Sequence, residues 1–245
     1  MADPQVRVVG LTLDLHPVPE PFDFEAQAGE VWMLVGAVTS GRGELIRVIA
    51  GLDRPRAGRV ELFGADPERL SRRASVQLRS RIGVVLEQTG LVPAWSVFEN
   101  LALLIKYHRL APDRAVEDHV VKFVEACKAP IAILSRLACD LSPLESRWVG
   151  LLRALIIRPR LLLVSAYLPQ ETLTAGYDVR TFFEDIVVPM NMTILVDAGP
   201  KALPMGPDTR LLVMDQGTVR AVGLVSDLAE HPDPQVRHYA GSSHA

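Results

Sequence analysis

Val31-Trp32-Met33-Leu34-Val35 runs into Gly36-Ala37-Val38-Thr39-Ser40-Gly41-Arg42-Gly43-Glu44, and then into Leu45-Ile46-Arg47-Val48-Ile49-Ala50-Gly51. The first block is an unbroken apolar run, as a strand buried on both faces requires. The last carries apolar residues at helical spacing and ends on a glycine, a helix C-cap signal. Between them lies the layout of a phosphate-binding loop, G-x-x-x-x-G-K-[ST]. In that motif backbone N–H groups and a helix N-terminus cradle phosphates. Gly36 and Gly41 stand at the right spacing, with Thr39 and Ser40 inside the loop. The chemistry after them departs. Arg42 replaces the lysine, Gly43 replaces the hydroxyl residue, and Glu44 follows.

Outward from this stretch the chain alternates strands and helices. Residues 6–15 and 22–26 read as strands flanking a proline-rich turn, and 59–64 as a third. Residues 67–80 have helical composition, and Ile82-Gly83-Val84-Val85-Leu86 is a short buried strand. An apolar loop, 87–96, leads into a helix over 97–109, with a more polar helix over about 112–128. Ser142-Pro143-Leu144-Glu145 is a helix start: Ser as N-cap, Pro at the first position, Glu three residues after the cap. That helix runs to about Ile157. Strands follow at 161–164 and 192–196, with a helix near 175–186 between them. Residues 210–214 and 218–222 form a hairpin about Asp215-Gln216-Gly217. The segment 226–245 is polar, carries Pro232 and Pro234, and is expected to be loosely held.

The 245 residues suffice for one large α/β domain or two small ones. A net charge of −3 argues against a nucleic-acid footprint, which needs a basic surface. Cys127 and Cys139 sit in no metal or redox spacing and read as structural thiols in a reducing compartment. No signal-peptide pattern opens the sequence and no run of about 18 apolar residues occurs, so a cytoplasmic protein is expected.

This order of pieces resembles the ATP-binding subunit of an ABC transporter, over nearly the whole chain. Gly29-Glu30, Ala50-Gly51-Leu52, Pro55-x-x-Gly58-x-Val60, Arg81-Ile82-Gly83-Val84-Val85 and Val97-Phe98-Glu99-Asn100 are similar to the family's flow. So are Arg153-Ala154-Leu155, Arg158-Pro159 and the closing Asp215-x-Gly217-x-Val219-x-x-x-Gly223. Within the family, the Mla/Mce-type lipid-transport ATPases look closest, through Val97-Phe98-Glu99-Asn100-Leu101 and Asp233-Pro234-Gln235-Val236-Arg237. The resemblance implies a P-loop NTPase-like α/β fold: a RecA-like parallel-sheet core, an N-terminal antiparallel β subdomain and a helical subdomain over roughly 95–158. One such domain would cover 1–228, followed by a polar tail, 229–245. It also implies ATP and Mg²⁺ as ligands, and a membrane permease as partner. A dimer with itself or with a competent ATPase subunit follows, as does a peripheral place on the cytoplasmic face of the inner membrane.

Each family motif nonetheless departs. Arg42 keeps the charge of the phosphate-loop lysine, but its planar fork is not interchangeable with a compact ammonium. Gly43 has no hydroxyl for Mg²⁺. Glu44 brings a carboxylate toward the phosphates; like charges ~4 Å apart at an effective dielectric of ~20 cost about 4 kcal/mol, about a thousandfold in affinity. Glu87 aligns with the glutamine that senses the γ-phosphate. Leu141-Ser142-Pro143-Leu144-Glu145 stands in the place of the L-S-G-G-Q signature, where Pro143 has no N–H to donate and Leu144 blocks backbone approach. Ser142 and Glu145 then serve as helix caps. Ser165-Ala166 replaces the family's Asp-Glu, so the general base is missing. Gly199 falls where the switch histidine belongs, Asp197 lies at another place in the pattern, and His16 is the nearest aromatic to the adenine-stacking position. Residues 36, 39–44, 87 and 142 are the expected nucleotide contacts, with no catalytic or metal residue among them. The sequence points to a degenerate nucleotide-binding subunit docked on a permease through the apolar stretch Leu91–Ile105. Two other readings stay open: a non-catalytic scaffold or regulator on the same fold, and a slow ATPase using Arg42 and Glu87.

Overall fold

The computed structural model describes residues 4–165, 179–199, 205–206 and 208–241. Its core is a six-stranded sheet in the order β5-β6-β7-β3-β8-β9. These strands are β3 (Val31–Val35), β5 (Ile82–Val85), β6 (Leu161–Val164), β7 (Thr193–Gly199), β8 (Arg210–Asp215) and β9 (Thr218–Leu224). All neighbours pair parallel except the closing hairpin β8–β9. β3 and β6 are buried at every position, which is why they read as unbroken apolar runs.

The alternation of side chains divides the core between the two faces of the sheet. On one face, Leu34, Leu163, Leu195 and Leu212 pack with helix α1 (Arg42–Ile49) and a three-stranded antiparallel sheet. That sheet has the order β2-β1-β4, from β1 (Val6–Thr12), β2 (Phe22–Ala26) and β4 (Ala57–Leu62). β2 alternates strictly, with Phe22, Phe24 and Ala26 inward and Asp23 and Glu25 outward. On the other face, Leu162, Val164, Ile194 and Val196 pack with α3 (Val97–His108), α4 (Val116–Ala126) and α5 (Pro143–Leu155). Short α2 (Arg72–Arg79) precedes β5, and α6 (Val179–Phe182) lies before β7. This is the α/β arrangement expected, with the parallel core, the antiparallel subdomain and the helices between residues 95 and 158.

Three local readings change. The first strand stops at Thr12, and Leu13 and Leu15 continue as a loop. The charged stretch 67–80 is helical only over α2, after a single turn at Pro67–Arg69. As far as Gly241 the polar tail is not loose. α7 (Val225–Leu228) and α8 (Pro234–Gly241) fold back, and Val236, Tyr239 and Ala240 bury against Met33, Val35, Leu211 and Val213. Three apolar residues at i, i+3 and i+4 form too short a stripe to show above two prolines and several charges. The helix expected near 175–186 appears from Val179 onward, as α6 and a wider turn over Phe183–Val187; residues 175–178 lie outside the described residues.

Candidate functional site

The loop between β3 and α1 takes the phosphate-cradle form. Gly36 has φ 153° and Gly41 φ 89°, where side-chain-bearing residues are rare. Ala37, Val38 and Thr39 form an exposed crest, while Ser40 is buried and accepts from the Gly217 N–H through its carbonyl at 2.9 Å. Leu13, Leu15 and Gly217 close against Gly41 from behind. His16 is exposed.

Arg42 does not project from this frame. It is 5% exposed. Its Nε donates to Ser40 Oγ at 3.0 Å, one terminal nitrogen donates to the Ala37 carbonyl at 3.3 Å, and the other pairs with the Asp197 carboxylate. Arg42 is buried and Asp197 partly so, with side chains 6% and 15% exposed. Asp197 reaches it because β7 presents Leu195 and the residue two further on to the α1 face. A register shift opposite Leu34 and Val35 then turns the strand. The Gly199 N–H donates to Asp197 Oδ1 at 3.1 Å. Burial pushes the Asp197 carboxyl above its ordinary value and Glu44 adds to this; Arg42 and the Gly199 N–H pull against them.

Gly43 opens the space beneath. A β-carbon there would lie 3.7 Å from Asp197 Oδ2 and 3.9 Å from Ser165 Oγ, the nearest atoms outside its own helix among the described residues. Ser165 is tied to β5 through its N–H, which donates to the Val85 carbonyl at 2.8 Å. Ala166 lies outside the described residues. Glu44 is exposed in the first turn of α1, where a carboxylate favours the helix dipole. These donors do not fit Mg²⁺–ATP. The cation at the loop is already paired with Asp197, Glu44 adds a second carboxylate at the start of α1, and Gly43 and Ser165 offer one hydroxyl between them.

The other two nucleotide contacts expected from sequence lie elsewhere. Glu87 is exposed and lines a shallow cleft of about 480 Å³ with Thr89, Pro93, Cys139, Pro143 and Ser146. Ser142 caps α5: its Oγ accepts from the Glu145 N–H at 3.2 Å, and Glu145 accepts from the Ser142 N–H at 2.8 Å. Arg136 pairs with Glu145 and donates to the Asp140 carbonyl at 2.7 Å. The Arg136 hydrogen bond holds the Glu145 carboxyl below its ordinary value, with the Ser142 donors acting in the same direction. That contribution is full above the ordinary glutamate range and is lost as pH falls below it, through the lowered value of the folded chain. Replacing Glu145 with Ala is expected to cost about 1–2 kcal/mol at neutral pH by urea unfolding, and markedly less near about pH 4.

Two side chains quoted above only for their resemblance, and given no role from sequence, brace the loops beside the cleft. Arg153 donates to the Thr89 and Gly90 carbonyls and so clamps the loop after β5. Asn100, fully buried, accepts from the Val92 N–H and donates toward the carbonyls of Val92, Trp95 and Ser96. It fixes the turn that leaves Trp95 38% exposed. A buried asparagine inside an apolar helix face was the available signal.

A family model described as ABC transporter matches residues 20–164, more than half of the chain. The methionine import ATP-binding protein MetN of Xylella fastidiosa is 28% identical over 225 residues, 90% of this chain and 65% of that protein. The chain thus spans somewhat less than two thirds of that relative's length. The lipoprotein-releasing system ATP-binding protein LolD of Anaeromyxobacter dehalogenans is 34% identical over 173 residues, 66% of this chain and 71% of that one. Among solved structures, CbiO1 of Clostridium perfringens, part of the ABC transporter complex CbiONQ, superposes with a TM-score of 0.70. It is 19% identical and covers 93% of this chain and 92% of its own, a likeness of fold. With its phosphate-loop frame on a parallel sheet, its antiparallel subdomain and the family match over residues 20–164, this chain belongs to the ABC transporter family.

Proposed function

We propose that this chain is a nucleotide-binding-type subunit of an ABC transporter that docks on a membrane permease and has lost, or nearly lost, ATP hydrolysis. The observation that carries the reading is Arg42. Its guanidinium is turned inward, donating to Ser40 Oγ and the Ala37 carbonyl and pairing with Asp197, and so does not project from the loop as a free fork for phosphate. The absent hydroxyl at Gly43 and the serine at 165 support the same reading from the metal side. ATP binding is weak or lost, and Mg²⁺ has no assembled ligand set among the described residues.

The surface that meets the permease is the cleft beside Glu87 and the Trp95 turn. Trp95 is exposed there and the backbone is held rigidly by Asn100 and Arg153. The chain pairs with itself or with a competent ATPase subunit. A place on the cytoplasmic face of the inner membrane follows from that partnership. Among the described residues no helix is long and apolar enough to cross a membrane. The cargo class we assign is lipid, of the Mla/Mce type, on the resemblance carried by Val97–Leu101 and Asp233–Arg237.

The test is titration of the purified protein with ATP and Mg²⁺, read by calorimetry, thermal shift and phosphate release. The expected result is no turnover, with no heat and no shift below about millimolar ATP. Micromolar affinity together with steady-state hydrolysis that Arg42→Ala abolishes would sink the proposal and establish a slow ATPase.

A further inference from the structure

We propose that Asp197 is the built-in anion of the phosphate loop: a positioning residue whose carboxylate takes the place on Arg42, and over the start of α1, that a phosphate would take. The inference rests on the idle-loop reading above and names what keeps the loop idle.

Three independent features of the chain converge on it. Arg42 is itself buried, with each of its three side-chain nitrogens bonded within the chain, one of them to Asp197 across 155 positions of sequence. Gly43 leaves the space that lets the carboxylate come down over the first turn of α1. A serine or threonine at 43 would direct its side chain toward Asp197 Oδ2 and Ser165 Oγ. The Gly199 N–H donates to the same Asp197 Oδ1 that pairs with Arg42, which fixes that oxygen and leaves Oδ2 toward Gly43. A helix N-terminus with a cation beside it is a ready anion site. Here β7 supplies the anion, and a phosphate and the Asp197 carboxylate cannot both occupy that place. With Glu44 at the same helix start, the mouth of the loop is net negative toward any incoming oxyanion. The same pairing keeps the cradle folded in the absence of ligand.

Pyrophosphate without metal isolates this competition from the metal chemistry. Calorimetry on the full chain should show heat only at millimolar pyrophosphate for the unaltered protein. Asp197→Asn and Asp197→Ala should each bind at least tenfold more tightly, and adding Arg42→Ala to Asp197→Asn should reverse the gain. A merely structural Asp197 would give loss of stability and no gain of binding. Hydrogen exchange on the unaltered chain gives a readout that needs no variant to fold. Amides of residues 37–44 should be protected before pyrophosphate is added, and unchanged after it at micromolar levels. Equal weak binding by the unaltered chain and both Asp197 variants overturns the inference and leaves the idle-loop reading standing. So do loop amides that exchange fast until pyrophosphate slows them at millimolar levels. Micromolar binding by the unaltered chain, abolished by Arg42→Ala, overturns the idle-loop reading itself.

Discussion

Replacing Arg42 with alanine is expected to destabilise the folded chain by about 3–5 kcal/mol at neutral pH, because it strands the Asp197 carboxylate in the interior. Both side chains of the pair are largely out of water, so the cost lies in the uncompensated charge more than in the lost contact. The double variant with Asp197→Ala should therefore recover more than half of the loss in urea unfolding, a positive coupling between the two sites. The pH dependence has a definite sign. Burial already places the Asp197 carboxyl above its ordinary value in the folded chain, and loss of Arg42 raises it further. A raised acid binds its proton more tightly when folded than when unfolded, so the deficit of Arg42→Ala grows as pH rises through the folded value and shrinks on acidification. The groups that face it are Glu44 from α1, Ser165 after β6 and the Gly199 N–H, and Glu44 acts in the same direction as burial. A loss below about 1 kcal/mol would mean that the pair is open in solution, and the account of the loop would have to be withdrawn.

Gly36→Ala is expected to be comparably severe for a steric reason. A β-carbon at 36 would lie 2.3 Å from the Met214 carbonyl oxygen and 2.8 Å from Ser40 Oγ, at a φ of 153°. Met214 belongs to β8, which pairs with β3 at the foot of the loop. The oxygen is backbone and cannot rotate away. Relief requires prying the two strands apart or rebuilding the loop. Overpacking and backbone strain together cost about 3–5 kcal/mol, which for a chain of this size lowers the melting temperature by about 10 °C. Thermal unfolding by circular dichroism checks it. Gly51→Ala is the control: its φ is also positive, at 69°, but among the described residues nothing beyond its chain neighbours lies within 4 Å of the added carbon. It should cost about 1–2 kcal/mol. Equal costs at 36 and 51 would show that conformation alone, and not the approach of β8, sets the requirement for glycine.

Much of this molecule is written locally. The unbroken run Val31–Val35 requires a strand covered on both faces, and it lies near the centre of the sheet. Ser142-Pro143-Leu144-Glu145 and Ser96-Val97-Phe98-Glu99 each set a side-chain oxygen and a carboxylate three residues apart. Both spell out capping boxes that depend on nothing outside one helical turn. The glycines at 36 and 41 report backbone angles that only the loop between β3 and α1 demands. The replacement of lysine by Arg42 and of the hydroxyl residue by Gly43 is legible for the same reason: the cradle is continuous in sequence.

What sequence alone could not settle is where Arg42 points. Arginine at that place reads equally well as an unusual phosphate contact or as a cation turned inward. The choice belongs to Asp197, brought beside it by the parallel pairing of β3 with β7 and by the shift of register opposite Val35. Alternation along β7 places Asp197 with Leu195, but only the packing of α1 on that face makes it the loop's neighbour. The clamp of Arg153 on the Thr89 and Gly90 carbonyls is of the same kind, and so is the burial of Val236, Tyr239 and Ala240 by α8. Sequence determined the frame, through propensities, caps and glycine angles that act over a few residues. Tertiary structure decided the state of the site, because the carboxylate that occupies its cation comes from a strand on the far side of the chain.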